Sequence, residues 1–403
     1  MNQPIRKRPT ARVLTAIAAA CIVVGCSGSG PDGAPAKTRA GSGDLVIGVA
    51  WPWAAHPEIR LAQGLDMAID EVNQSGGDSA GHKLKIRRED DHESVDSGRI
   101  VAQRLSTDPS VVAVIGHLQS YVTIPAAAIY DANGMLLLSP TATDPELTSH
   151  SYQRTFRTTF TNRTVGRHMA EYAAERKYKH VAIYYVRDDY GRGLSNAFEE
   201  RAADLGVAVV ARQSYDPEGG ASDAAFTKTF TNWKTIDADA IFVAGEVPLA
   251  GTLISQARKA GLQLPIIGGD AMGSGALMSA GGTAVEGAVV PTVFHPDETR
   301  AEVRKFVTDF TKRYGVAPDA GSALGYDAVW LLARAIRTAK SSEPTNIAKA
   351  LHAARDFTGV TGAFAFDPHG DLIDRPLVKM VVRNGRFEYL IDAPRAPATV
   401  ASR

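Results

Sequence analysis

Val111-Val-Ala-Val-Ile-Gly-His-Leu-Gln-Ser120-Tyr-Val-Thr-Ile-Pro125 reads as a β-branched run, a glycine, a polar turn and the opening of a helix. The run Val111–Ile115 is apolar at every position, which suits a strand covered on both faces, as strands of parallel sheets are. The helix predicted after it extends to about Ala132. It tolerates Pro125 in its first turn, where backbone amides lack intrahelical acceptors anyway. Another apolar run, Met135–Leu138, follows. The stretch is therefore one βαβ unit, and the same rhythm extends in both directions from it.

Upstream, Leu45–Ala50 predicts a strand, Arg60–Asn73 a helix with Leu61, Leu65, Ala68, Ile69 and Val72 on one face, Leu84–Arg88 a strand, and Val101–Leu105 part of a helix. Downstream the alternation resumes with strands Val181–Val186, Val207–Gln213, Ala240–Ala244 and Pro265–Gly268. Helices Leu194–Leu205, Ala224–Trp233 and Leu249–Ala260 lie between them. Two such series, separated by a polar join near Arg154–Arg163, predict an α/β protein of two doubly wound parallel-sheet lobes. After Pro291 come two long helical patterns, Glu298–Tyr314 and Ser322–Thr338. A β-rich tail follows, Gly362–Phe366 and Pro376–Leu390, with a turn at Arg383-Asn384-Gly385. Helices this late in the chain fit a return to the first lobe. The expected boundaries are 44–161 plus 292–366 for one lobe and 162–291 plus 367–392 for the other, with a flexible tail at 393–403.

Length agrees, since 403 residues exceed what one core usually serves. Formal charge is zero overall, but residues 1–25 hold Arg6, Lys7, Arg8 and Arg12 and no acid, which leaves −4 on the remainder. No basic stripe is left to bind nucleic acid. The basic start precedes an apolar run, Val13–Val24, and small residues, the order of parts in a secretory signal. As a helix those twelve residues rise only about 18 Å, short of a ~30 Å hydrocarbon core. Val23-Val24-Gly25-Cys26 resembles a bacterial lipobox, whose cysteine takes a lipid and becomes the first residue after cleavage. Residues 26–43, rich in Gly, Ser, Pro and Ala, then read as a flexible tether. The only other cysteine is Cys21, inside the segment to be removed, so the body has no thiol for a disulfide, a nucleophile or a metal. An extracytoplasmic, lipid-held monomer is expected.

In open α/β sheets ligands bind beyond the carboxyl ends of the strands. That rule selects Trp51-Pro-Trp53, Gly116-His-Leu-Gln-Ser120-Tyr121, Ser139-Pro-Thr141-Ala-Thr143 and Gly269-Asp270-Ala-Met-Gly273. Ser120 near a helix N-terminus, with Thr141 and Thr143, suits a carboxylate, and Asp270 on the other lobe suits an ammonium. From position alone, Ser120 also reads as an N-cap and Asp270 as a turn residue, since such residues are common there. Glu89-Asp-Asp-His92-Glu93 reads as a solvated loop rather than a metal site, and no metal or cofactor is expected. No nucleophile elbow, phosphate loop or paired histidine spacing occurs, so an enzyme is not expected either.

The stretch from Ile115 to Ala126 and on through Leu138-Ser-Pro-Thr-Ala-Thr-Asp-Pro-Glu-Leu-Thr148 closely resembles the leucine/isoleucine/valine-binding proteins of ABC transporters. Asp188-Asp-Tyr-Gly-Arg-Gly-Leu194, Gln256-Ala-Arg-Lys-Ala-Gly-Leu262 and Phe366-Asp-Pro-His-Gly-Asp371 extend the likeness, which covers about residues 44 to 390 in order. The resemblance implies a type I periplasmic-binding fold with a three-crossing hinge, an amino-acid ligand and permease partners. A sensory subunit feeding a receptor, or a binder of a small amide, are the alternatives. It further implies that Ser120 and Thr143 bind an α-carboxylate, Thr141 lends a carbonyl, Asp270 binds the α-ammonium, and Leu118 and Tyr190 line the side-chain pocket. The chain departs from the pattern in several places. A cysteine pair is absent at both partner positions, Glu93 and Gln119. Pro57 stands about where an aromatic covers the ligand, a place Trp51 or Trp53 is expected to fill. Glu246 replaces a pocket tyrosine, which opens the site to a polar or cationic ligand.

Overall fold

The computed structural model describes residues 43–76, 81–150, 152–216, 223–373, 375 and 377–390. The expected signal segment, the Cys26 anchor and the 393–403 tail lie outside them. The first sheet is formed by β1 (Leu45–Trp51), β2 (Leu84–Asp90), β3 (Val111–Gly116), β4 (Leu137–Ser139) and β5 (Thr155–Arg157), all parallel, in the order β2-β1-β3-β4-β5. Its connections carry α1 (Leu61–Gln74), α2 (Val95–Thr107), α3 (Ser120–Ala132) and the short α4 (Glu146–Ser149). Every residue of β3 is buried, as its unbroken apolar run Val111–Ile115 requires of a central strand.

α5 (Asn162–Glu175) leads into the second sheet, whose parallel part is β6 (His180–Val186), β7 (Ala208–Tyr215), β8 (Ala240–Ala244), β9 (Ile266–Gly268) and β10 (Val289–Thr292). α6 (Asp189–Asp204), α7 (Asp223–Trp233), α8 (Leu249–Lys259) and the short α9 (Ala276–Gly281) alternate with them. The strand order β7-β6-β8-β9-β10 repeats that of the first sheet. In both, the order in which strands are added reverses between the first and third strands, the switch point where such sheets open a crevice.

α10 (Ala301–Tyr314), α11 (Ala320–Ala339) and α12 (Pro344–Ala353) come next. α11 lies along α1 so closely that a Cβ on Gly64 would stand 1.9 Å from the Ser322 carbonyl oxygen. α11 and α12 thus cover the first sheet, together with Leu61, Leu65, Ala68 and Val72 of α1. The buried face of α10, Val303, Phe306 and Phe310, belongs instead to the core around the second sheet. A small hairpin, β11 (Phe357–Gly359) and β12 (Gly362–Phe364), sets Phe364 in the first core. β13 (Val378–Arg383) and β14 (Arg386–Tyr389) then complete the second sheet as antiparallel edge strands joined at Asn384-Gly385.

The chain therefore passes between the sheets three times: after β5, between β10 and α11, and between β12 and β13. Hydrogen bonds tie the first and third passages. Arg157 N donates to the Gly370 carbonyl at 2.9 Å, its Nε donates to Asp371 Oδ1 at 2.7 Å, and Arg375 Nη1 donates to the Thr158 carbonyl at 2.9 Å. No helix among the described residues is long and apolar enough to cross a membrane.

Candidate functional site

The carboxyl ends of both sheets border one cavity of about 180 Å³. That is below the ~300–1,000 Å³ of pockets for drug-sized ligands, and it suits one small molecule. The first sheet's loops bring Leu118, Ser120, Thr141 and Thr143 to it, and the second sheet's bring Tyr190, Glu246 and Asp270.

Ser120 opens α3. Its Oγ accepts from the amides of Thr143 and Asp144, both at 3.2 Å. A hydroxyl has two acceptor sites and one proton, so the O–H of Ser120 stays available as a donor. The leading amides of α3 also lack intrahelical acceptors. Thr141 is arranged the other way: its O–H donates to the carbonyls of His117 and Leu118 at 3.0 and 2.8 Å, which spends its proton. The Thr143 hydroxyl takes no side-chain or backbone partner among the described residues. Ser120, Thr143 and a helix end thus face the cavity as donors.

Across it stands Asp270, which opens a 3-10 turn just past β9. Tyr190, at the start of α6, donates its O–H to Asp270 Oδ1 at 3.0 Å and accepts from the Ala271 amide at 3.2 Å. Burial raises the Asp270 carboxyl above its ordinary range, against the pull of that tyrosine. Glu246 follows β8 and sits in the same wall. Burial, reinforced by the charges of Asp188 and Glu93, pushes its carboxyl up to about 8.

Trp51 is not at the site. It is the last residue of β1, paired with Asp90, and the pleat turns its indole into the core under α1 and α11, where it is 1% exposed. The sequence favoured a tryptophan in the loop because β1 was expected to end at Ala50; one more strand residue turns the ring inward. Trp53 is committed as well, its Nε1 donating to the Glu89 carbonyl at 3.0 Å. Pro57 is exposed, and its neighbours His56 and Glu58 line the cavity instead. The strand-end rule pointed to this loop, but the aromatic residues drew attention from the histidine five positions after Trp51.

His56 Nε2 lies 3.2 Å from Glu93 and its Nδ1 3.3 Å from Glu58. Gln119 Nε2 donates to the same Glu93 oxygen at 2.6 Å. The two positions that lack the cysteine pair are therefore joined by a hydrogen bond. The bond with Glu93 raises His56 to about 9. Burial pushes Glu93 up, but its bonds to His56 and Gln119 outweigh this and hold it below the usual carboxylate value. The rest of the Glu89–Glu93 run disperses. Glu89 pairs with Arg87 and Arg104, and Asp91 turns inward to His117 at 2.6 Å. Among the described residues no group of three His, Cys, Asp or Glu is placed to hold a metal ion. Asp319 and Leu324, from the start of α11, also line the cavity, and nothing in the sequence signalled that a late helix would reach it.

Two sheets whose parallel parts share one strand order, crossed three times and facing one small cavity from their switch points, define a solute-binding class of protein. A family model described as periplasmic binding protein matches residues 52–386, and the chain belongs to that family. A Leu/Ile/Val-binding protein homolog from Brucella abortus is 32% identical over 332 residues, 81% of this chain and 87% of that protein. A leucine-, isoleucine-, valine-, threonine- and alanine-binding protein of Pseudomonas aeruginosa is 31% identical, over 80% of this chain and 85% of its own. An ABC transporter substrate-binding protein of Desulfitobacterium hafniense, crystallised with Leu, superimposes with a TM-score of 0.78 at 35% identity, over 86% of this chain and all of that one.

Proposed function

We propose that this chain is the ligand-capture lipoprotein of an ABC importer, held outside the cytoplasmic membrane by lipid on Cys26, and that it encloses an α-amino acid between two lobes. The observation that carries the reading is the opposition of donor and acceptor across the cavity. The ligand carboxylate meets the Ser120 and Thr143 hydroxyls and the α3 amides. The ammonium meets Asp270, oriented by Tyr190, and the Thr141 carbonyl. Leu118 and Tyr190 border the side-chain end. The names of the relatives support the same class of ligand. Capture without turnover follows, with ligand recovered unchanged.

Calorimetry on Asp270→Asn tests the site. A charge-assisted hydrogen bond contributes roughly 1.5–3 kcal/mol, so every α-amino acid that binds should weaken about ten- to a hundredfold or more. Parent-like affinity in that variant would remove the ammonium assignment and, with it, the amino-acid reading. For the anchor, Cys26→Ala should move the protein from the membrane fraction to the soluble extracytoplasmic fraction. Unchanged partition would mean that lipid on Cys26 is not what holds it.

A further inference from the structure

Asp270 has Tyr190 as a donor, and Ser120 and Thr143 face it as the complementary pole. Glu246 is the carboxyl group of the cavity wall left over among the described residues, since Glu58 meets His56 and Asp319 meets Arg60 and Ser322. Its backbone amide is anchored, donating to Tyr215 Oη at 3.3 Å, so the residue is held in place. Its carboxylate receives no hydrogen bond and forms no ion pair among the described residues. It is partly exposed, and the exposed part opens to the cavity.

The charged groups around Glu246 leave it without compensation. From the second sheet's loops Asp188 and Asp270 both add negative field, and from the first sheet's loops Glu93 does the same. The cation that acts on it most is His56, and His56 is already held between Glu58 and Glu93. The tyrosines nearby, Tyr190, Tyr215 and Tyr121, are neutral, their hydroxyls pushed up by burial. An aliphatic ligand side chain closing over this carboxyl would strip its water and return nothing, which penalises binding.

Resting on the amino-acid reading above, we infer that Glu246 selects ligands whose side chain ends in an N–H donor, an amine, guanidine or carboxamide. Such a group replaces the lost water with a hydrogen bond. The two kinds of donor differ in proton balance. In the empty site at neutral pH burial keeps Glu246 largely protonated. A cationic side chain stabilises the carboxylate, so the Glu246 proton leaves to buffer as the ion pair forms. A carboxamide binds the protonated or the ionised acid without requiring that release.

The test is calorimetry of the full-length protein at about pH 7 with L-lysine, L-arginine, L-glutamine and L-leucine, repeated in two buffers of different ionisation enthalpy. At least one N–H-bearing ligand should bind about tenfold or more tighter than leucine. If that ligand is cationic, it should release up to about one proton more than leucine does, leucine supplying the baseline for Asp270. Glu246→Gln should remove the extra proton, and Glu246→Leu should bring leucine level with or ahead of the N–H donors. Unliganded melting curves check that both variants fold. Leucine binding as tightly as every N–H donor, with a ranking that Glu246→Leu does not alter, would overturn the inference and leave the amino-acid reading standing. If no α-amino acid binds, both fall together.

Discussion

The charge of His56 acts on Glu246, yet one is held charged and the other neutral near pH 7. A hydrogen bond to Glu93 raises His56 to about 9, and burial raises Glu246 to about 8. The consequence for stability has a definite sign. Glu246 unfolded titrates near its ordinary 4.5, so folding gains nothing from its ionisation and is penalised as pH climbs from there through about 8. Glu246→Gln does not titrate, so its unfolding free energy should gain on the parent's between about pH 5 and pH 9. Allowing for water in the cavity, the gain is on the order of 1–2 kcal/mol. Urea unfolding at several pH values measures it, and a difference independent of pH would show that Glu246 ionises normally. At this scale the sequence was half legible. Ser120, Thr143 and Asp270 could be placed because they follow strands, and Tyr190 and Glu246 through the family resemblance. Trp51 could not, because one residue of strand length decides which way a side chain points.

At the scale of elements, the long periodic helices and the β-branched strands lie close to where the sequence predicts them. α1 differs by one residue at each end, and β3 gains one. There are exceptions. The join expected near Arg154–Arg163 holds β5 and the start of α5, and α5 went unread. A strand containing Arg157 does not look like core until Asp371, the Ala142 carbonyl and Thr148 are seen to saturate its guanidinium. α12 was also missed, though Pro344 at its first position is a start signal. The contact of α1 with α11 gives a sharp test. Gly64→Ala places a methyl on the Ser322 carbonyl, and neither helix backbone can yield without moving its apolar face. A loss of about 1–3 kcal/mol or more in urea unfolding is expected. A variant as stable as the parent would show that the two helices are not packed this closely.

For the whole molecule, three connections run between the two sheets, and the bonds from Arg157 to Gly370 and Asp371, and from Arg375 to Thr158, keep two of those connections together, the construction expected of a hinge. Only a closed arrangement contacts the ligand from both poles, so ligand should shift the population toward closure. Small-angle scattering at saturating ligand should give a smaller radius of gyration than without it. An unchanged profile would argue for a rigid pocket. The sequence by itself determined that both sheets are built on a parallel, doubly wound core, since apolar runs and amphipathic periods are local properties of the chain. It also determined which loops follow strand ends, and so most of the residues around the cavity. What only the tertiary structure decided is how those loops combine: that α11 returns to α1 and brings Asp319 to the cavity, that His56, Glu93 and Gln119 meet, and that Glu246 is left without a partner among the described residues. Those facts depend on approach between segments far apart in the chain, and on which buried charges find compensation, and no local pattern of residues encodes either.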